Sequence, residues 1–170
     1  QEPEMLGAPK PVAMLPKVDV LIVAIHNDTI AKYQNIVARA GLEAGFFEIE
    51  VFSTMRSVLD EGLKPVLIMD MGAASTKLYI VERGIVRLSH TVNRGSQDIT
   101  AAMASSLGVT AERAEVVKRE VGLTGPDASI AEVATLVLDT IFSEAATTLF
   151  SFEKKYNRPV SKAILVGGGA

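Results

Sequence analysis

Residues 65–84 read PVLIMDMGAASTKLYIVERG, and this stretch decides the fold. Pro65 to Met71 is a nearly unbroken apolar run of strand length, the pattern of a strand buried on both faces. Gly72 to Thr76 is a turn of small residues. Leu78 to Val81 resumes as a strand, Glu82-Arg83-Gly84 turns again, and Val86 to Val92 makes a further strand. Short strands joined by glycine-bearing turns predict a β-meander. The first turn also carries chemistry. Small side chains let backbone N–H groups close on a phosphate, and successive N–H groups make an anion-binding concavity. Ser75 and Thr76 add hydroxyls. Asp70 ends the buried strand, and its carboxylate can hold Mg²⁺ directly or through water, because Mg²⁺ uses few protein oxygens. The same residues also read as an ordinary hairpin turn whose aspartate caps its own backbone.

Downstream the apolar period becomes helical. Ser96 or Gln97 opens a helix that ends at Gly108. Thr110 caps a second, Ala111 to Val121, which ends at Gly122. After a loop from Leu123 to Asp127, a stripe of Ile130, Val133, Val137, Ile141, Ala145, Leu149 and Phe152 marks one long amphipathic helix to about Tyr156. Ala163 to Val166 is then a strand running into Gly167-Gly168-Gly169. Such a turn lets the chain lie flat against a planar group, or simply joins a strand to a helix. Asn93-Arg94-Gly95-Ser96 is a glycine turn opening a helix, so Gly95 is a further candidate phosphate contact. Glu115 and Lys118 share a helix face, with Arg119 nearby. They form either a solvated ion-paired face or polar groups for a ribose or base.

Upstream, residues 1–17 hold four of the seven prolines and read as an edge segment or linker. Val18 to Ile25 (VDVLIVAI) predicts a buried strand. His26-Asn27-Asp28 follows as a turn with a helix N-cap, and Ile30, Tyr33, Val37 and Ala40 fall at helical spacing before Gly41. Phe46 to Val51 reads as a strand, with Ser53 capping a short helix through Leu59 that ends at Glu61-Gly62. Mixed strands and helices in this order predict α/β layers.

Composition removes several classes of function. With 48% apolar and 22% charged residues the chain is not intrinsically disordered. Seventeen basic against twenty acidic residues give −3, so no global field draws nucleic acid or anionic lipid. The absence of Cys excludes disulfides, thiolate metal sites and a cysteine nucleophile. No unbroken apolar run reaches the roughly 18 residues of a membrane span. His26 and His90 are isolated, without a partner at metal spacing. No nucleophile–base constellation is visible, so no catalytic residue is assigned. Gln1 at the start and GGGA at the end suggest a piece of a longer protein.

The order of these motifs resembles the actin-like ATPase superfamily, with its ribonuclease H-like fold. DMGAASTKLYIVERG resembles that superfamily's second phosphate hairpin. Asp70 would then face Mg²⁺, and Gly72, Ala73, Ala74, Ser75 and Thr76 the phosphates. AILVGGGA, residues 163–170, resembles the adenosine motif, which puts Gly167, Gly168 and Gly169 at the nucleotide. AERAEVVKREVG, residues 111–122, resembles the helix that meets adenine and ribose, here through Glu115 and Lys118. The segment from Val18 to Leu59, with its AGLE-to-EVF run at Ala40–Phe52, is similar to the PilM–FtsA branch, and to PilM above all. FtsA-like chains usually have a Gly-Gly pair before the following helix, where this chain has Arg94-Gly95-Ser96.

The resemblance implies the second half of an actin-like ATPase plus the end of a small α/β inserted subdomain. Residues 18–45 would close the inserted subdomain, 46–62 return to the first actin-like subdomain, and 63–170 form the second. The implied function is an ATP- and Mg²⁺-binding scaffold of type IV pilus assembly, cytoplasmic and peripheral at the inner membrane. Its implied partners are the cytoplasmic N-terminal peptide of a PilN-like membrane protein, and other pilus-assembly or self subunits. At most it would be a slow ATPase. The alternatives are an FtsA-like division protein that polymerises at the membrane and, third, a small-molecule kinase of the same fold. The first phosphate hairpin is not in this chain, so the resemblance implies weak or no ATP binding by these residues alone.

Overall fold

The computed structural model describes residues 20–59, 62–125 and 128–170. Residues up to Gly45 and residues from Phe46 to Ala170 form two separate compact units.

The second unit is built on the 65–84 stretch. β1 (Val66–Met71) pairs antiparallel with β2 (Thr76–Glu82), which pairs antiparallel with β3 (Ile85–Val92). β4 (Lys162–Val166) returns on the other side of β1 and runs parallel to it, giving the order β3-β2-β1-β4. A parallel return needs a long crossover. Here it is three helices: α3 (Ser96–Leu107), α4 (Ala111–Val121) and α5 (Ala128–Tyr156). A further helix, α2 (Glu50–Val58), precedes the sheet.

The two-residue period of β1 explains the layers. Leu67, Met69 and Met71 turn to one face and pack with Leu78, Ile80, Ile141, Ala145 and Phe152. Ile68 turns to the other and packs with Val51, Met55, Tyr79 and Val81. The sheet is therefore covered by α5 on one side and α2 on the other, which makes it an α/β layer structure as the sequence predicts. A third cluster, Ile99, Met103, Ala114, Ile130 and Ala134, joins α3, α4 and α5. Among the described residues α5, at 29 residues, is the helix long and apolar enough to cross a membrane. Its stripe of Ile141, Ala145 and Phe152 is instead buried against the sheet.

Helix ends follow the sequence closely. Gly108 takes a left-handed φ of 63° after α3, and the Thr110 hydroxyl accepts from the Arg113 N–H at the start of α4.

Two strand expectations fail. Val20 to Ile25 has no regular structure, and Val20 and Ile22 are 75% and 85% exposed. Val18 and Asp19, and all of 1–17, lie outside the described residues. An apolar run becomes a strand only when a neighbour completes its ladder, and the first unit shows no strand among its described residues. Phe46 to Val51 is not a strand either. Residues 46–49 are irregular and Glu50 already begins α2. There the helical pair Val51 and Met55 supplies the buried face.

Two caps move for the same reason of register. Ser53 lies inside α2, its hydroxyl donating back to the Glu50 carbonyl. Asn27 and Asp28 lie inside α1 (Asn27–Arg39), which is preceded by His26 without a side-chain cap.

Candidate functional site

The site forms where three turns meet at the C-terminal end of β1. The first is the small-residue turn after Met71. It is closed by the Gly72 N–H donating to the Ser75 carbonyl at 3.0 Å. Ala73 and Ala74 are exposed at its tip, and among the described residues their N–H groups make no hydrogen bond.

The second turn, at Gly95, is fastened to the first. The Ser96 and Gln97 N–H groups, the first donors of α3, go to the Gly72 and Ala73 carbonyls at 3.0 and 2.9 Å. The buried Thr76 hydroxyl donates to the Arg94 carbonyl at 2.9 Å. A Cβ on Gly95 would stand 2.4 Å from the Ala73 oxygen, so no side chain fits there. The Gly95 N–H itself donates to Asp98 at 2.8 Å. That bond and the Arg94 guanidinium hold the Asp98 carboxyl below its usual range. Within this structure Gly95 and Thr76 thus fasten the turns to each other, and their donors are taken.

The third turn is the glycine run after β4. Gly167 has φ 97°, and a Cβ there would lie 2.4 Å from the Met71 oxygen and 2.6 Å from Asp70 Oδ1. The Gly169 N–H donates to the Met71 carbonyl at 2.9 Å. Gly168 has open space where its Cβ would be. Two of the three glycines are therefore needed for close backbone approach, and the middle one faces a cleft.

Asp70 sits beside this run, half-buried. It faces Lys77 across the β1–β2 ladder, but the Lys77 ammonium is ion-paired with Glu50 at the start of α2. Among the described residues the Asp70 carboxylate makes no hydrogen bond and no ion pair. Its charge is nonetheless felt. Burial first, then the carboxylates of Glu50 and Asp70, push the Tyr79 phenol up to about 12. Among the described residues no three His, Asp or Glu side chains gather as a metal cluster. One free carboxylate still fits Mg²⁺, which takes most of its ligands from phosphate and water.

The cleft beyond Gly168 has a volume of about 570 Å³. Ile99, Met103 and Leu138 give it an apolar wall, and Ser96, Glu115 and Lys118 a polar one. Glu115 accepts from Lys118 at 2.7 Å, from Arg119 at 2.8 Å and from the Thr100 hydroxyl at 2.6 Å. Lys118 also donates to the Ser96 carbonyl at 3.1 Å and to Thr100 at 2.8 Å. Thr100 has one proton. The shorter, charge-assisted bond to Glu115 takes it in preference to the 3.1 Å approach to the Ser96 carbonyl. Lys118 first, then Thr100 and Arg119, hold the Glu115 carboxyl down at about 2.

Sequence reasoning named Glu115, Lys118 and Arg119 but missed Thr100, which bonds both Glu115 and Lys118. It lies four residues after Ser96, one helical turn into α3, and that spacing was the available signal. It also missed Asp98, three residues after Gly95, the spacing of a helix-start carboxylate. His26 heads α1 in the first unit, and His90 lies 3.1 Å from Glu144 and does not line the cleft at Gly168.

Known proteins share this fold. The chain superposes on the PilM–PilN type IV pilus biogenesis complex with a TM-score of 0.69 and 24% identity, over 82% of this chain and 40% of that one. It superposes on the ethanolamine utilization protein EutJ from Carboxydothermus hydrogenoformans with a TM-score of 0.60 and 21% identity, over 79% and 46% of the two chains. MreB 5 of Spiroplasma citri, bound to AMPPNP, matches with a TM-score of 0.60 and 14% identity, over 81% and 60%. These likenesses establish an actin-like ATPase fold. The chain spans less than two thirds of each of these structures. Residues 9–170 match the family described as type IV pilus assembly protein PilM, and the chain belongs to that family.

Proposed function

We propose that this chain supplies one wall of a nucleotide cleft in a PilM-family scaffold that binds ATP with Mg²⁺. The observation that carries the reading is the junction at the end of β1. There a free carboxylate, Asp70, stands between a glycine run wedged against it and a turn whose tip N–H groups are unused. Asp70 would hold the metal, and Ala73 and Ala74 would offer N–H groups to phosphate. Gly168 would pass beneath the nucleoside, and Glu115 and Lys118 would meet the ribose or base. When bound, Mg²⁺ neutralises phosphate charge and fixes the phosphate geometry. This chain's own residues bind and orient; none is placed as a base for water, so turnover is slow at most.

The partner in this reading is the cytoplasmic N-terminal peptide of a PilN-like protein, which keeps the scaffold at the cytoplasmic face of the inner membrane. A PilM–PilN complex is among the structures that share this fold. The first unit supports it. α1 buries none of its side chains, and Tyr33 and Ile36 are left exposed. Nucleotide state would bias closure of the two halves and so the affinity for the peptide.

Calorimetry on the protein at the full length of its relatives tests this. The peptide's affinity is measured with and without MgATP. A change of about tenfold is expected, in the usual range of coupling between sites. Equal affinities would refute the coupling.

A further inference from the structure

Asp70 has a cationic neighbour that it does not bind. Lys77 is its partner in the β1–β2 ladder, and directly opposed residues in such a ladder have Cβ atoms about 5 Å apart. Both side chains turn to the same face of the sheet. Asp70 follows Ile68 by one two-residue period and Lys77 precedes Tyr79 by one. Ile68 and Tyr79 pack together against Val51 and Met55 of α2. The Asp70 carboxylate is therefore within reach of Lys77, yet the Lys77 ammonium is ion-paired with Glu50, the first residue of α2.

Two carboxylates thus compete for one lysine. Tyr79 gives an independent sign that they are close, since its phenol is raised by burial and then by Glu50 and Asp70 together. The competition is finely held. The Lys77 and Glu50 side chains are 33% and 49% exposed, and an ion pair so open to water is weak. Asp70 is short and set against the backbone, where a Cβ on Gly167 would lie 2.6 Å from its Oδ1. Lys77 is the part that can move, on a flexible four-carbon stem.

We infer that Glu50 is a positioning residue for the candidate metal site: it holds Lys77 off Asp70, and without it Lys77 turns onto Asp70 and occupies the carboxylate that a divalent cation needs. This rests on the reading of Asp70 as the Mg²⁺ ligand. It adds a residue from a third element, α2, which acts through Lys77 and not by touching the cation. The direction follows from charge. An ammonium bonded to a carboxylate takes up its lone pairs and repels a second cation.

The test has two parts. In the first, ATP affinity of the protein at the full length of its relatives is measured by calorimetry with and without Mg²⁺, for the parent, Glu50→Gln, Lys77→Gln and the double variant. The ratio of the two affinities is the gain that Mg²⁺ brings. Glu50→Gln should cut this gain about three- to fivefold, the upper range of a partly exposed ion pair. Lys77→Gln should leave the gain unchanged, and in the double variant it should restore what Glu50→Gln lost. Both residues are partly exposed, and unchanged circular dichroism spectra certify the fold. The second part needs neither metal nor nucleotide. In a crystal structure of the 170-residue chain carrying Glu50→Gln, Lys77 Nζ should lie within about 4 Å of an Asp70 carboxylate oxygen. A full gain in Glu50→Gln would overturn the proposal, as would a loss that Lys77→Gln does not rescue, or a Lys77 that stays away from Asp70 in the variant. A parent protein with no Mg²⁺ gain would overturn the nucleotide reading and this proposal with it. A normal gain in the parent that ignores Glu50→Gln would overturn this proposal alone.

Discussion

Asp70 and Glu115 flank one glycine run and are held in opposite ways. Asp70 abuts Gly167 and has no partner among the described residues, because the lysine across the ladder is drawn off to Glu50. Glu115 lines the cleft at Gly168 and Gly169 and is held by a lysine, an arginine and a threonine. The difference teaches how a cleft divides its labour. A carboxylate whose bonds are satisfied shapes a wall and orients its neighbours. A carboxylate left free beside a phosphate-type turn is available to a cation. Sequence shows both as acids and cannot show which is satisfied, because Lys77 is drawn off by Glu50 of α2 and Thr100 reaches Glu115 from α3.

The largest expected effect breaks the partition between the two acids. Gly167→Ala puts a Cβ at a φ of 97° and within 2.4 Å of a backbone oxygen. It should cost about 3 kcal/mol, since both the strained backbone and the overpacking are penalised. Urea unfolding measures it. A loss below about 0.5 kcal/mol would mean the run is not wedged as described.

A smaller effect sharpens the Glu115 side. Its folded pKa of about 2 lies below the ordinary 4.5, so its contribution is present above that value and is lost as pH falls toward 2. Glu115→Gln should therefore flatten part of the loss of stability between pH 5 and pH 2. The side chain is 34% exposed, so solvent screening keeps the difference under about 1 kcal/mol. Acid unfolding curves that superpose for the two proteins would show that the bonds to Glu115 contribute nothing.

Much of the fold was legible in local pattern. The meander, the three crossover helices, the Thr110 cap and the final strand all have the period or punctuation that sequence reading relies on. The failures share one cause. Val20–Ile25 and Phe46–Val51 have strand composition, yet strand formation depends on a neighbour that local pattern does not contain. At the site, glycine positions were legible as places of close approach. Gly95 reads as a phosphate contact from its place before a helix, whereas in the structure its N–H serves Asp98 and its missing Cβ admits the Ala73 carbonyl. Thr76 reads as a phosphate hydroxyl, whereas its hydroxyl holds the Arg94 carbonyl.

The most direct measurement compares the two acids in one titration. ATP binding to the protein at the full length of its relatives is followed with and without Mg²⁺, for the parent, Asp70→Ala and Glu115→Ala. The account predicts that Asp70→Ala abolishes the gain that Mg²⁺ brings while the fold stays intact. Glu115→Ala should weaken binding by a similar factor with or without the metal. A Mg²⁺ dependence that survives in Asp70→Ala would contradict the assignment of the free carboxylate.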